Sequence, residues 1–327
     1  MKKKFFNFLL NFILLPSIIL LLIYFAIKTI DLKKFYYELL NIKAKWLIIT
    51  LFFSLLAIYF RALRWKLLFL SINKNPSILN LSYGIIVGYF ANIGIPRFGE
   101  VFRCIYLKKT DNIEIETSLG TVITERFIDI ITLFFFVIAF LISDFKFFSS
   151  FFHQNIISKI SINKKIYFFL LFIIVIAIFT FFLINKLSSN LKKKLSKLYH
   201  SFTKGFLTII YLKNKFLFFL YTILIWLFYI LMTYSAFFTI ESTSNLTFLN
   251  SIFIMTVGSI GMTIPVQGGF GTFHWLVTLG LELYSINKTT GMLYATILHE
   301  SQVLCIIIIS VFILLFTFFK KQKSISH

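Results

Sequence analysis

The chain is poor in charge and poorer still in acid. Only 14% of its 327 residues are charged, and 12 acids face 33 Lys and Arg. Soluble domains carry about a quarter charged residues. Here 59% of residues are hydrophobic, with a mean hydropathy of +0.90. A soluble globule of this length has no interior large enough to hide that surface, so lipid is the fitting solvent. Cysteine is scarce too. Cys104 and Cys305 lie far apart, each in or beside an apolar segment, which excludes a disulfide framework and reads as packing. Neither Walker A nor G-x-G-x-x-G occurs. No His/Cys/Asp/Glu spacing points to a metal, and no nucleophile elbow or serine triad is present. The expectation is therefore of no metal and no cofactor.

The net charge of +21 raises the question of nucleic acid. The Lys residues sit mostly between apolar runs, where they read as cytoplasmic-loop bias and attraction to anionic lipid heads, so no nucleic-acid partner is expected. The apolar runs mark the spans. Phe5–Ile27 follows Lys2 to Lys4 and reads as a first transmembrane helix, longer than a signal-peptide core. Trp46–Phe60 extends to Leu70 if its basic heads snorkel. Leu81–Ile95 is short and carries Gly84, Gly88 and Gly94 before Pro96. Thr117–Ile142, Ile166–Ile184, Phe216–Ile240 and Met292–Phe319 are longer spans, while Leu249–Pro265 and Gly271–Tyr284 are short and flank a Gly/Pro break. The whole chain, 1–327, reads as a single integral membrane domain of all-α class, a polytopic helix bundle. Between about 185 and 215 lies a Lys-rich segment without acid, with Leu and Phe at helical spacing. It reads as a basic amphipathic cytoplasmic helix, either lying on an anionic membrane face or solvated. Basic termini place both ends inside, although the Lys residues between Asp31 and Lys45 then fall outside.

Two broken segments resemble each other. The first runs from Gly88 through Asn92, Gly94, Pro96, Arg97, Gly99 and Glu100 to Arg103; the second runs from Gly258 through Pro265, Gly268 and Gly269 to Gly271. Each is followed by a span with a charged centre, Thr121-x-x-x-Glu125-Arg126 with Asp129 in one case and Thr296-x-x-x-Glu300 beside His299 in the other. The shared order reads as a degenerate internal repeat, with halves at about 46–142 and 216–319. Short apolar segments interrupted by Gly and Pro in corresponding positions point to a transporter site formed by re-entrant helices. Backbone freed at such a break cannot face lipid and must line a cavity or be buried in protein. Half-helix ends in a cavity offer N–H groups to anions, and a phosphate head group is a natural client. A packing kink between crowded helices is the alternative.

Charges inside spans narrow the site. A charge at bilayer depth costs about 2.5–3.5 kcal/mol on insertion scales. Glu125, Arg126 and Asp129 together must therefore face protein or water, as a head-group or proton site or as an ion-pair network between helices. Glu100 and Glu300 are the expected compensating acids for Arg126. Arg97 and Arg103 flank Glu100 after the first break, and Arg suits bidentate phosphate contacts. Arg61 and Arg64, beside Trp65, read either as an interface anchor or as a second phosphate contact.

Arg61-Ala62-Leu63-Arg64-Trp65, Asn92 with Pro96-Arg97-Phe98-Gly99-Glu100 and Arg103, Thr121-Val122 with Glu125-Arg126 and Asp129, and Pro265 with Gly268-Gly269-Phe270-Gly271-Thr272 occur in this order. Together they resemble the lysylphosphatidylglycerol synthase transmembrane-domain family, also called flippase-like domain proteins, over nearly the whole chain. The resemblance implies a membrane-embedded domain with re-entrant segments that moves or presents phospholipid or polyprenyl-type lipid. In two-part synthases a soluble aminoacylating domain follows; this sequence ends shortly after Phe319, so synthase activity is not expected. An Arg is often expected where His299-Glu300 stands.

The reading is a non-enzymatic lipid transporter of the bacterial inner membrane. Its partner is an anionic or polyprenyl-linked lipid. Arg97, Arg103 and Arg126 hold the head group, and Glu100, Glu125, Asp129 and Glu300 balance charge or relay protons. The broken backbone comprises Asn92, Gly94, Pro96, Gly99, Pro265, Gly268, Gly269 and Gly271; Arg61, Arg64 and His299 are secondary. The alternatives are a lipid-carrier transferase with Glu125 or Asp129 as general base, or a non-catalytic scaffold for a cell-envelope glycosyltransferase.

Overall fold

The computed structural model describes residues 32–143, 196, 199–200, 202–264 and 266–325. The expected spans Phe5–Ile27 and Ile166–Ile184, most of the basic segment 185–215, and Pro265 lie outside the described residues. Among the described residues every regular element is helical and no strand occurs. In chain order the helices are α1 (Leu32–Leu40), α2 (Ala44–Leu70), α3 (Ile78–Gly94), α4 (Gly99–Thr110), α5 (Ile115–Ser143), α6 (Lys215–Phe237), α7 (Phe248–Thr263), α8 (Thr272–Glu282) and α9 (Lys288–Ile325).

Local chemistry sets the starts of these helices. Ser77 caps α3 by accepting from Asn80 N at 3.0 Å, and Asn214 caps α6 by accepting from Leu217 N at 3.0 Å. Thr247 and Asn250 form a reciprocal capping box at the start of α7. The stops of α3 and α7 come from proline. Ile95 leaves the helix with φ −133° and ψ 118°, and Ile264 with φ −69° and ψ 130°. Each precedes a proline in the sequence, and a proline bars the helical region to the residue before it.

Three described stretches are long and apolar enough to cross a membrane: Ala44–Leu70, Lys215–Phe237 and Lys288–Ile313. Ile48, Phe52, Leu55 and Tyr59 form an exposed stripe along α2, and Phe216, Phe219 and Ile223 do the same on α6. Meanwhile Arg64 and Glu125 are 0% exposed. Apolar side chains outside and charged ones inside suit hydrocarbon rather than water. α5 runs unbroken through the expected span Thr117–Ile142 and carries Glu125, Arg126 and Asp129 in its first half.

The chain divides into two compact units that do not follow its two halves. The first gathers the chain up to Arg64, Ser77–Tyr106 and the chain from Asn214; the second comprises Trp65–Pro76 and Leu107–Lys213. In the second unit, the buried indole of Trp65 donates from Nε1 to Thr121 Oγ1 at 2.8 Å. Thr124 Oγ1 donates to Phe206 O at 2.8 Å. Gly120 and Gly205 let those two backbones touch, since an added Cβ at Gly120 would stand 2.3 Å from Phe202 O.

The first unit contains both broken segments, each as a helical hairpin. α3 and the start of α4 pack backbone to backbone, so that a Cβ on Gly99 would stand 2.1 Å from Gly88 O. α7 and α8 pack the same way through Gly261, where a Cβ would meet Phe273 Cα and Thr272 O at 2.9 Å. Without a hydrophobic force between helices in lipid, close approach at small residues is what holds such pairs. α6 joins this unit through polar contacts in its interior. Thr50 Oγ1 and Ser235 Oγ stand 2.9 Å apart, and Tyr294 Oη donates to Thr233 O at 2.8 Å.

Gly99→Ala is expected to destabilise the protein by about 1–3 kcal/mol through overpacking. Gly94→Ala, where an added carbon meets nothing within 4 Å, should leave stability unchanged. Thermal melting of the two variants in detergent checks this. Equal melting of Gly99→Ala and wild type would show that the α3 and α4 backbones do not touch.

Candidate functional site

The two interruptions meet inside the first unit. At the first, α3 ends at Gly94, Arg97 adopts a left-handed φ of 63°, and α4 begins at Gly99. Such a φ is uncommon outside glycine, and in a non-glycine residue it often marks a working position. Asn92 Oδ1 accepts from Gly99 N at 2.7 Å, so a side chain of the finished helix caps the next one. Glu100 lies in the first turn of α4, where a carboxylate complements the helix dipole. Its Oε2 is buried and finds no hydrogen-bond partner among the described residues. Arg103, one turn on, is buried, and its Cβ lies close to the Gly84 and Gly88 positions of α3.

At the second interruption, α7 ends at Thr263 and a 3₁₀ turn, Gln267–Gly269, leads to α8. Gly268, Gly269 and Gly271 have φ of 56°, 80° and 84°, conformations that glycine adopts freely. Thr272 Oγ1 donates back to Gly261 O at 3.0 Å and closes the turn.

The two breaks cap each other. The last carbonyls of a helix lack intrahelical donors and carry partial negative charge. Arg97 Nη2 donates to Met262 O at 3.3 Å and to Thr263 O, at the end of α7. Gln267 Nε2 donates to Gly94 O at 3.3 Å, at the end of α3. The helix ends that face each other are therefore carbonyl ends, and side chains supply the N–H groups. The sequence alone points instead to half-helix N–H groups as the donors on offer. Among the described residues the remaining donors of Arg97, Nε and Nη1, take no protein partner. In the two breaks themselves, Ile95, Phe98, Met262, Ile264 and Phe270 are exposed.

A third feature of the first unit was not visible in sequence spacing. His274 on α8 and His299 and Glu300 on α9 converge. Glu300 Oε1 lies 2.9 Å from His299 Nδ1 and 3.3 Å from His274 Nε2. His299 Nε2 contacts Gly268 O at 2.8 Å, which ties the cluster to the second break. Residues 274 and 299 are far apart in the chain, and only the packing of α8 against α9 joins them. His274 stands at the third residue of α8, directly after the Gly-rich break, and is buried. Glu300, expected as a counter-charge for Arg126, is engaged here by the two imidazoles.

Arg61 and Arg64 are buried against α6 within the first unit. Arg61 Nη1 donates to Tyr229 Oη at 3.0 Å, and Arg64 Nη1 to Thr222 Oγ1 at 3.3 Å. The Arg64 guanidinium also stands 5.9 Å from the centroid of the Phe218 ring, a buried cation–π contact. The interface-anchor alternative finds no exposed guanidinium or indole at these positions.

The second unit holds the charges of α5. Glu125 is fully buried. Arg126 pairs with Asp129 at 3.8 Å along the same helix, and both are partly exposed. The polar strip is continued by the buried Ser118, Thr121 and Thr124.

The family model of the lysylphosphatidylglycerol synthase TM region matches residues 10–310. That is nearly the whole chain, and the chain belongs to this family; it is an integral, multi-pass membrane protein. Neither a curated protein nor a solved structure matches it.

The cross-capping has a direct readout. Arg97→Ala removes a charged cap, an interaction worth about 1.5–3 kcal/mol. Hydrogen exchange of the amides between Val266 and Gly271 is expected to speed up, with exchange in α6 unchanged. Unaltered exchange in that turn would show that Arg97 does not hold the end of α7.

Proposed function

We propose that this member of the lysylphosphatidylglycerol synthase TM family binds an anionic lipid head group at the junction of its two broken hairpins and carries or presents that lipid across the bilayer. The observation that supports the reading is Arg97. Its guanidinium spends one nitrogen on the end of α7 and keeps two for a ligand, within a rim of exposed apolar side chains. A phosphate oxygen suits the free donors, and acyl or prenyl chains suit the rim.

The helix lengths favour re-entrant hairpins. α3 and α7 have 17 and 16 residues, or about 25 Å each. The hydrocarbon core is about 30 Å thick, so neither crosses it alone. Each is followed by a short helix folded back on it through glycines. We read these as two copies of one degenerate repeat, entering and leaving the membrane on one side each, with their tips meeting within it. Arg103, one turn into α4, is the second cation of the site. Glu100 Oε2, buried and without a partner among the described residues, is the acceptor a proton or ligand hydroxyl would satisfy. In the second unit, Arg126 with Glu125 and Asp129 forms a separate polar locus, which we propose also serves the lipid. The activity is transport or presentation of lipid rather than chemistry on it, in the cytoplasmic membrane of a bacterium.

Proteoliposomes carrying fluorescent phosphatidylglycerol or a polyprenyl phosphate in one leaflet test this. Wild type should accelerate translocation of the anionic lipid, and Arg97→Ala should slow it roughly tenfold, a loss of about 1.4 kcal/mol. Arg126→Ala and Glu125→Ala should also slow it. Gln267→Ala removes the opposite cap without removing charge, so it should slow translocation far less than Arg97→Ala. Equal rates for wild type and folded Arg97→Ala, or equal losses for Arg97→Ala and Gln267→Ala, would reject the head-group assignment.

A further inference from the structure

We propose that His274, His299 and Glu300 form a binding site for a divalent transition-metal ion of borderline softness, such as Zn²⁺. The donor atoms are His274 Nε2, His299 Nδ1 and Glu300 Oε1, and a fourth position is left for a solvent or anionic oxygen.

The argument begins with a conflict between acceptors. His299 Nε2 contacts a backbone carbonyl, Gly268 O, at 2.8 Å, and a carbonyl can only accept. Nε2 therefore carries the hydrogen. In a neutral ring this leaves Nδ1 as a lone pair, and that lone pair faces Glu300 Oε1 at 2.9 Å. Two acceptors do not rest at that distance unless a proton, making the ring an imidazolium, or a metal ion lies between or beside them. His274 Nε2 converges on the same carboxylate oxygen at 3.3 Å. Two imidazoles meeting at a single oxygen is the arrangement of shared coordination.

The surroundings match a metal site as well. A ligating His usually donates its other ring N–H to a carbonyl or carboxylate, which fixes its tautomer. His299 does this through Gly268. His274 is buried and lacks that second support: among the described residues its Nδ1 has no hydrogen-bond partner, so the ring is held through Nε2 alone. A metal–nitrogen bond at Nε2 would hold the buried ring more firmly than the 3.3 Å contact does. Phe270 and Phe273 have ring centroids 5.2 Å from that of His299 and give the cluster an apolar shell. The three donor atoms lie within 4.8 Å of one another. Donors around a tetrahedral Zn²⁺ stand roughly 3.3–3.5 Å apart, so small side-chain rotations complete the set. Access comes from the carboxylate side: Glu300 is 29% exposed, against 6% for His274 and 8% for His299. Imidazole and carboxylate donors with an open position suit Zn²⁺ and its neighbours over Mg²⁺ or Ca²⁺, which prefer oxygen.

The assignment uses the Glu300 cluster and no property of Arg97, so it stands or falls apart from the lipid reading. The test uses full-length protein without a polyhistidine tag, in nanodiscs of neutral lipid, equilibrated with Zn²⁺ and freed of excess. Elemental analysis should find about one tightly held Zn²⁺ per chain, as for a single structural or open site. His274→Ala and Glu300→Gln should weaken binding at least about tenfold, while His200→Ala, at an exposed position, should not change it. Co²⁺ in place of Zn²⁺ should give the intense visible bands of a four-coordinate ion with nitrogen ligands. Zn²⁺ uptake by wild type no greater than by Glu300→Gln overturns the proposal. If the variants do not fold, the wild-type Co²⁺ spectrum decides: intense bands support the site, and a featureless spectrum overturns it. A bound metal alongside unchanged lipid translocation in Arg97→Ala would separate this site from the lipid reading.

Discussion

Backbone polar groups cannot be left unpaired in hydrocarbon, and the arrangement of the first unit follows from that constraint. An uninterrupted helix satisfies its own carbonyls except at the last turn. Two helices here stop in apolar sequence, at Gly94 and Thr263, and each leaves such a turn behind. No water need be recruited to cover them, because each break reaches across to the other. Arg97 covers the end of α7, and Gln267 covers the end of α3. The left-handed backbone at Arg97 is the local cost of aiming its side chain that way. Neither break is complete without its counterpart.

Glycine makes the meeting possible for a reason specific to lipid. Packing two helices gains little from excluding lipid tails, so contact must come from backbones that nearly touch. Gly88 against Gly99, and Gly261 against Phe273, bring each returning helix within van der Waals contact of the one before it. That places Asn92 where it can cap α4 and Thr272 where it can bond Gly261 O. Interior polarity completes the picture. Arg61, Arg64 and Glu125 lie inside, where hydroxyls and rings surround the arginines, while Phe and Ile line the outside.

Several of the apolar runs are helices. Trp46–Phe60 did extend to Leu70, and Phe216–Ile240 and Met292–Phe319 correspond to α6 and to most of α9. The breaks were legible because proline and glycine act on their own neighbours and need no tertiary information. What they bond to was not legible. Arg97 reads in sequence as a head-group contact, yet it spends one nitrogen on carbonyls more than a hundred residues away. Arg61 and Arg64 beside a Trp look like an interface anchor by composition, but their side chains are buried. The convergence of His274 with His299 and Glu300 lay beyond any spacing rule, because it is produced by two helices packing and not by a motif within one.

The same two breaks carry both the cation site and the His–Glu cluster, and the bonds between them form a continuous path. His299 holds Gly268 O. Gly268 follows Gln267, whose amide holds Gly94 O at the end of α3. Three residues beyond Gly94 stands Arg97, which holds the end of α7, and α7 leads back through a short turn to Gly268. A closed ring of this kind transmits displacement, since moving the 3₁₀ turn changes both caps at once. Whatever cation satisfies His299 Nδ1 and Glu300 Oε1 fixes the imidazole, and the imidazole fixes the turn. The charge on α9 thus bears on the guanidinium at the first break without touching it. That supplies a physical reason for the cluster to lie at the Gly-rich turn instead of elsewhere along the 38 residues of α9.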